Sequence, residues 1–194
     1  MQYLIINKPY GTLSQFTKEV PEHRTLSDLY AFPKNVYAVG RLDKDSEGLL
    51  ILTDDKALNQ RLLDPGQGHK RAYWVQVEGL PTQQALDQLR QGVQIRINKK
   101  RHLTLPAQVK VLKNPPPVWE RQPPIRFRAN IPTSWLELEL TEGKNRQVRR
   151  MCAKVGFPVL RLIRHRIENL HLQGLPSGAV KELDKATMYN LLNL

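Results

Sequence analysis

The chain has 194 residues, 40% hydrophobic and 25% charged, which is enough for one or two compact domains with a sizeable core and too apolar for a disordered tail. No apolar run approaches the ~20 residues of a membrane-spanning helix. The first residues lack the basic start, apolar centre and cleavage site of a signal peptide, and the one cysteine, Cys152, excludes an internal disulfide and a cysteine-rich zinc site.

Residues 2–7 read as a strand that stops at Lys8-Pro9-Tyr10-Gly11, where Pro and Gly mark a turn. Thr25 is placed to cap a short helix through Tyr30, and Val36–Val39 reads as a short strand. Gly40–Gly48 is a polar loop bounded by glycines. Leu49–Thr53 is apolar on both faces, as a buried strand is. Thr53 or Asp54 is expected to cap the next helix, with Leu58, Leu62 and Leu63 on one side. Residues 70–78 alternate from Tyr73 onward, which predicts a half-buried strand. Pro81 suits the first turn of a helix carrying Ala85, Leu86 and Leu89.

Residues 112–134 hold six prolines with Trp119 and several arginines, too many prolines for a helix or a central strand, so a long loop is expected. Trp135–Leu140 alternates cleanly as an antiparallel strand. A helix at about 145–155, strands at about 158–166 and 168–172, and a helix from about Asp184 complete the chain. Strands outnumber helices and mostly adjoin one another, which predicts an α+β fold with a mixed, largely antiparallel sheet.

The formal charge of +12 favours a polyanionic partner. Its excess lies in two stretches, +8 over residues 93–130 and +7 over residues 141–166. Nucleic acid fits such a pattern; heparin-like polyanions and acidic lipids satisfy it too. On the helix at 145–155, Val148, Met151, Cys152 and Val155 share a core side, and Arg146, Arg149, Arg150 and Lys154 share the other. Guanidinium forks there suit phosphate oxygens. Cys152 falls in the apolar stripe and reads as core. Asp43, Asp45 and Glu47 alternate in the 40–48 loop. If the loop is extended they share one side, suited to metal binding or acid–base work; otherwise they are solvated acids balanced by Arg41 and Lys44. The histidines show no metal-ligand spacing, and no glycine-rich phosphate loop is present. Trp119, in the basic Pro-rich loop, is the best placed tryptophan to stack on an RNA base.

Asn7-Lys8-Pro9-Tyr10-Gly11, then Gly40-Arg41-Leu42-Asp43 through Asp45-Ser46-Glu47-Gly48-Leu49-Leu50-Ile51-Leu52-Thr53, then Lys70–Tyr73, then Glu142-Gly143-Lys144-Asn145-Arg146-Gln147-Val148-Arg149-Arg150-Met151 resemble, in the same order, the motifs of the pseudouridine synthases of the small-subunit-rRNA (RsuA) type. Ile131–Leu136 and Gly156-Phe157-Pro158 are similar to the ribosomal large subunit synthase E group within it. The resemblance implies a pseudouridine synthase fold of two sheet-bearing halves around a catalytic cleft, formed by one catalytic domain over residues 1–194. It also implies no N-terminal S4-type RNA-binding domain, so the RNA grip would lie in the catalytic domain itself. The implied reaction breaks the C1′–N1 bond of a uridine, turns the uracil and joins C5 to C1′, on a base extruded from its helix. Asp43 matches the family's catalytic aspartate, which either attacks C1′ or takes the C2′ proton. Tyr73 matches the tyrosine that packs on the uracil, and Arg149 the basic residue that pairs with the aspartate. Asp45 and Glu47 then become structural loop acids, and Lys8 and Pro9 shape the cleft floor. Lys144, Arg146, Arg150, Lys154, Arg41 and Trp119 are the expected RNA contacts, although many family members have Tyr-His in place of Asn145-Arg146. No metal or organic cofactor is implied. The expected substrate is one uridine of 23S rRNA, on the RNA or on a precursor large-subunit particle, with the protein acting as a cytoplasmic monomer away from membranes. The same reaction on another RNA such as tRNA, and a catalytically silent RNA-binding or ribosome-assembly factor, are the rival readings.

Overall fold

A computed structural model describes residues 1–126, 128–172 and 174–194. It divides into two compact units, Met1–His69 with Ile163–Leu194, and Lys70–Leu162. The elements in chain order are β1 (Tyr3–Lys8), β2 (Thr12–Leu13), β3 (Arg24–Thr25), β4 (Tyr37–Ala38), β5 (Glu47–Thr53), α1 (Lys56–Leu63), β6 (Arg71–Glu78), α2 (Gln83–Gln91), β7 (Gln94–Ile97), β8 (Lys100–Leu103), β9 (Gln108–Leu112), β10 (Thr133–Leu140), α3 (Gln147–Lys154), β11 (Val159–Ile167), β12 (Leu170–His171), β13 (Val180–Glu182) and α4 (Lys185–Leu191). The α+β class with a mixed, largely antiparallel sheet is what the spacing of apolar residues predicts. No helix among the described residues is long and apolar enough to cross a membrane.

In the first unit β1 lies between β13 and β5, antiparallel to both, with Ile5 opposite Ile51. All seven residues of β5 are buried, as a run apolar on both faces requires. Leu4, Ile6, Leu26, Val36, Leu42, Leu50 and Leu52 form a core there. β5 meets β11 in parallel at its first residues, Glu47 and Gly48, and antiparallel β4 at its last. Asp55, rather than Thr53 or Asp54, caps α1, its side chain accepting from the amides of Ala57 and Leu58. Thr53 instead donates its hydroxyl to the Gln2 carbonyl at 2.5 Å. Asp55 also accepts from the hydroxyls of Tyr3 and Tyr189, each at 2.7 Å. Burial pushes its carboxyl up, and these hydrogen bonds outweigh burial and hold it below the ordinary value. Leu63 lies 44% exposed, apart from buried Leu58 and Leu62. The expected helix through Tyr30 is a single 3-10 turn, Leu26–Asp28, where the Asp28 carboxylate accepts from the Thr25 amide.

In the second unit β10 lies between β6 and β9, antiparallel to both. Val75, Val77, Leu136, Leu138 and Val109 pack with Val148, Met151 and Cys152 of α3 and Leu86 and Leu89 of α2. Thr82 caps α2, so Pro81 stands just before the helix instead of in its first turn. The hairpin β7–β8 turns through Asn98 and Lys99, both at positive φ. Its turn is Asn-Lys rather than the Asn-Gly that marks such hairpins in a sequence. Residues 113–126 and 128–132 are irregular, as their prolines require.

Candidate active site

Asp43 sits half-buried in a tight turn whose backbone is fixed on both sides. Before it, Leu42 is clasped twice by buried Ser14: the Ser14 hydroxyl donates to the Leu42 carbonyl at 2.8 Å and accepts from the Leu42 amide at 3.0 Å. After it, the Lys44 carbonyl accepts from the Gly11 amide at 2.8 Å, and the Ser46 amide closes the turn onto the Asp43 carbonyl at 3.0 Å. The chain then enters β5 at Glu47 and Gly48. Gly48 has φ +104°, and a Cβ there would stand 2.3 Å from the Arg164 carbonyl oxygen. Only glycine lets β5 approach β11 so closely. The 43–46 segment is therefore a turn, not the extended run that would align three acids. Glu47 belongs to β5 and is 1% exposed, so it is a strand acid rather than a loop acid. No group of three or more His, Cys, Asp or Glu among the described residues could hold a metal ion.

Two cations accompany this turn. Lys8, fully buried at the end of β1, donates its ammonium to the carbonyls of Thr12 at 2.7 Å and Pro9 at 3.1 Å, so it ties the Lys8–Thr12 turn together. Burial lowers its pKa to about 7, against the opposing pull of Glu47, Asp45 and Asp43, while Arg164 acts in the same direction as burial. Arg164, 5% exposed on β11, donates Nε to the Leu49 carbonyl at 2.8 Å.

Tyr73 and Arg149 belong to the second unit. Tyr73 lies on β6 opposite Leu138 and packs half-buried against the core. Arg149 stands half-buried on α3, its Nη1 donating to the Val159 carbonyl at 3.3 Å. α3 begins two residues later than the apolar spacing predicts, because Arg146 takes a left-handed backbone (φ 52°) as its N-cap. No side chain caps the helix at that position. Gln147 instead accepts from the Lys144 amide at 2.9 Å and donates to Glu142 at 2.6 Å. Glu142 also accepts from the Leu105 amide and contacts His102 on β8. Cys152 is fully buried, and burial pushes its thiol up to about 12, which fits a core residue.

Of the expected RNA contacts, Arg41, Lys144, Arg146 and Lys154 are exposed. Arg150 is committed to the fold: its guanidinium donates to the Arg96 carbonyl of β7 at 2.6 Å and to the carbonyl and side chain of Asn145 at 3.1 Å each. Trp119 is half-buried with the Arg161 guanidinium 5.5 Å from its ring centroid. Ser14 and the Gly11 amide hold the Asp43 turn, Lys8 ties the neighbouring Lys8–Thr12 turn and Arg164 the start of β5, and no local spacing pattern identifies these roles.

The family model described as RNA pseudouridylate synthase matches residues 2–154. Ribosomal large subunit pseudouridine synthase E of Vibrio vulnificus is 52% identical over 180 residues, 93% of this chain and 74% of that protein. The protein of the same name from Xanthomonas axonopodis is 51% identical, over 89% of this chain and 88% of its own. The dual-specificity RNA pseudouridine synthase RluF of Escherichia coli is 34% identical, over 98% of this chain and 57% of its own. A crystal structure of a pseudouridylate synthase superposes with a TM-score of 0.80 at 24% identity, over 98% of this chain and 73% of its own, and shares the fold. With four motifs in family order and a matching fold, the chain belongs to the RNA pseudouridylate synthase family and is an RNA-modifying isomerase.

Proposed function

We propose that this enzyme isomerises one uridine of 23S ribosomal RNA to pseudouridine, with Asp43 as the catalytic carboxylate. The observation that carries the assignment to Asp43 is its turn, held by Ser14 on Leu42 and Gly11 on Lys44, with half-buried Asp43 as its first residue. Catalysis at a ribose carbon needs a carboxylate held in place before the substrate arrives. Relatives about half identical in sequence are named as large-subunit enzymes, which supports 23S rRNA as the substrate. In the reaction the C1′–N1 bond breaks and C5 bonds to C1′. The C5 proton is lost to solvent and N1 gains a proton, so no atoms are gained or lost overall. Tyr73 would pack on the uracil. Arg149 would pair with the aspartate, its guanidinium orientation set by the Val159 carbonyl. Lys144, Arg146, Lys154 and Arg41 would meet phosphates, and Trp119 a base.

The test is tritium release from 23S rRNA labelled at uridine C5, with wild type and Asp43→Asn side by side. Release by wild type at one mapped uridine, and none by the variant, is expected. Release from tRNA alone, or equal release by both proteins, overturns the reading.

A further inference from the structure

Beside the Pro-rich segment the second unit carries a pocket of about 530 Å³, within the range of small-ligand sites. We propose that it binds one nucleotide of the substrate RNA other than the target uridine, so that the Pro-rich segment selects the sequence around the target; this rests on the function proposed above. Ile125, Ile131 and Leu160 supply aliphatic surface, suited to a base face. Gln76 and Asn130 supply carboxamides, suited to a base edge. The Gln76 amide is oriented by donating to the Thr133 hydroxyl at 3.1 Å, which leaves its carbonyl oxygen to accept from a base.

The charge at the pocket suits a phosphate. Arg128 is paired with Glu78 at 2.7 Å, so the acid is neutralised within the wall. Arg126 is exposed and makes no ion pair with a described residue. One cation therefore remains uncompensated beside an apolar floor, the combination a nucleotide needs.

The walls are fixed before any ligand arrives. Arg121 donates to the carbonyls of Pro123 at 2.7 Å, Pro124 at 2.8 Å and Leu160 at 3.3 Å. The Gly79 amide donates to the Pro132 carbonyl at 2.7 Å. Such preorganisation lowers the ordering cost of binding. Gln76 and Tyr73 are three residues apart on β6 and project from opposite faces of the strand. A nucleotide in this pocket is therefore not the one that would lie against Tyr73.

Two readouts test the proposal. The first adds each of the four nucleoside 5′-monophosphates, at millimolar concentration, to the isotope-labelled enzyme and follows the side-chain amide resonances of Gln76 and Asn130. At least one nucleotide is expected to shift both resonances, with affinity about tenfold weaker in Arg126→Ala, the loss of one charge-assisted contact. The second is tritium release by Arg126→Ala/Asn130→Ala, both exposed positions, with KM for 23S rRNA expected to rise about tenfold or more and kcat to change by less than about twofold. Absence of any shift with all four nucleotides, or a KM equal to wild type, overturns the pocket assignment. Wild type inactive on 23S rRNA but showing the shifts overturns the 23S reading and leaves the pocket standing.

Discussion

The Asp43 turn and the Pro-rich segment are both irregular backbone, and they are held differently. The turn is pinned by groups far away in sequence, buried Ser14 on Leu42 and the Gly11 amide on the Lys44 carbonyl, and β5 just after it is set by Arg164 against Gly48. The Pro-rich segment is held at its surface, by Arg121 reaching carbonyls two and three residues ahead and the Leu160 carbonyl and by Arg128 paired with Glu78, and it leaves Arg126 and Arg128 exposed. The difference fits the roles proposed for each. A carboxylate that acts on one ribose carbon loses rate with a shift of about 1 Å. Phosphate contacts tolerate slack, because Coulomb attraction falls slowly with distance and grips by number.

The largest effect on this comparison is expected at the carboxylate itself. Asp43→Asn keeps the turn's backbone bonds and should lower kcat by about a thousandfold or more with RNA affinity little changed. A variant that lost affinity in the same proportion would show Asp43 to be a binding residue instead. Next come the two glycines that flank the turn. Gly48→Ala places a methyl against the Arg164 carbonyl at a positive φ and should cost roughly 3–5 kcal/mol, seen as a melting temperature lower by about 10 °C. Gly11→Ala, also at positive φ (+78°) but with nothing within 4 Å of the new methyl, should cost only about 1 kcal/mol. Equal losses would mean that backbone conformation, rather than the close approach of β5 to β11, makes glycine necessary at position 48.

The same contrast explains what could be read from the sequence. The burial of β5 and the apolar face of α3 follow from local periodicity, and both are present. The choice of Asp43 rests on a family motif, since its spacing with Asp45 and Glu47 fits a solvated loop equally well. The turn around it was not legible: Ser14 and Gly11 act across long stretches of chain, which no window of neighbouring residues reveals. The β7–β8 hairpin was missed because its Asn98-Lys99 turn lacks the usual glycine. The apolar spacing places the start of α3 two residues early because a left-handed Arg146, not a capping serine or aspartate, stands at its N-cap.

A smaller, pH-dependent effect tests whether the burial of Lys8 costs stability. Lys8 has a pKa near 7 in the fold against 10.5 ordinarily. Above pH 7 the unfolded chain therefore holds a proton that the folded chain releases, so stability should rise with pH from about 7, by up to about 1 kcal/mol per pH unit. The tyrosines Tyr3, Tyr37 and Tyr189 are raised, first by burial and then by Asp55 nearby, and oppose this only above about pH 10. Urea unfolding of wild type between pH 7 and 9 should show the rise, and Lys8→Met should flatten it. A variant with the wild-type slope would assign the effect to another group and leave Lys8 charged in the fold.

The smallest effect is expected on the basic side, one cation at a time. The β7–β8 hairpin exposes Lys99, Lys100 and Arg101 around its turn, anchored behind by Ile95 in the core and by Arg150 on the Arg96 carbonyl. If each meets an RNA phosphate, replacing any one by Ala should weaken binding modestly, with kcat unchanged, and reduce the slope of log affinity against log salt by about 1. Replacing all three should reduce it by about three, because contacts made by number add. Arg150→Ala should act differently: it removes the clamp that fixes the hairpin and leaves the three cations in place. Its salt slope should then stay close to wild type while affinity falls, the signature of a lost anchor rather than a lost phosphate contact. A slope change as large as that of Lys100→Ala would instead place Arg150 on the RNA.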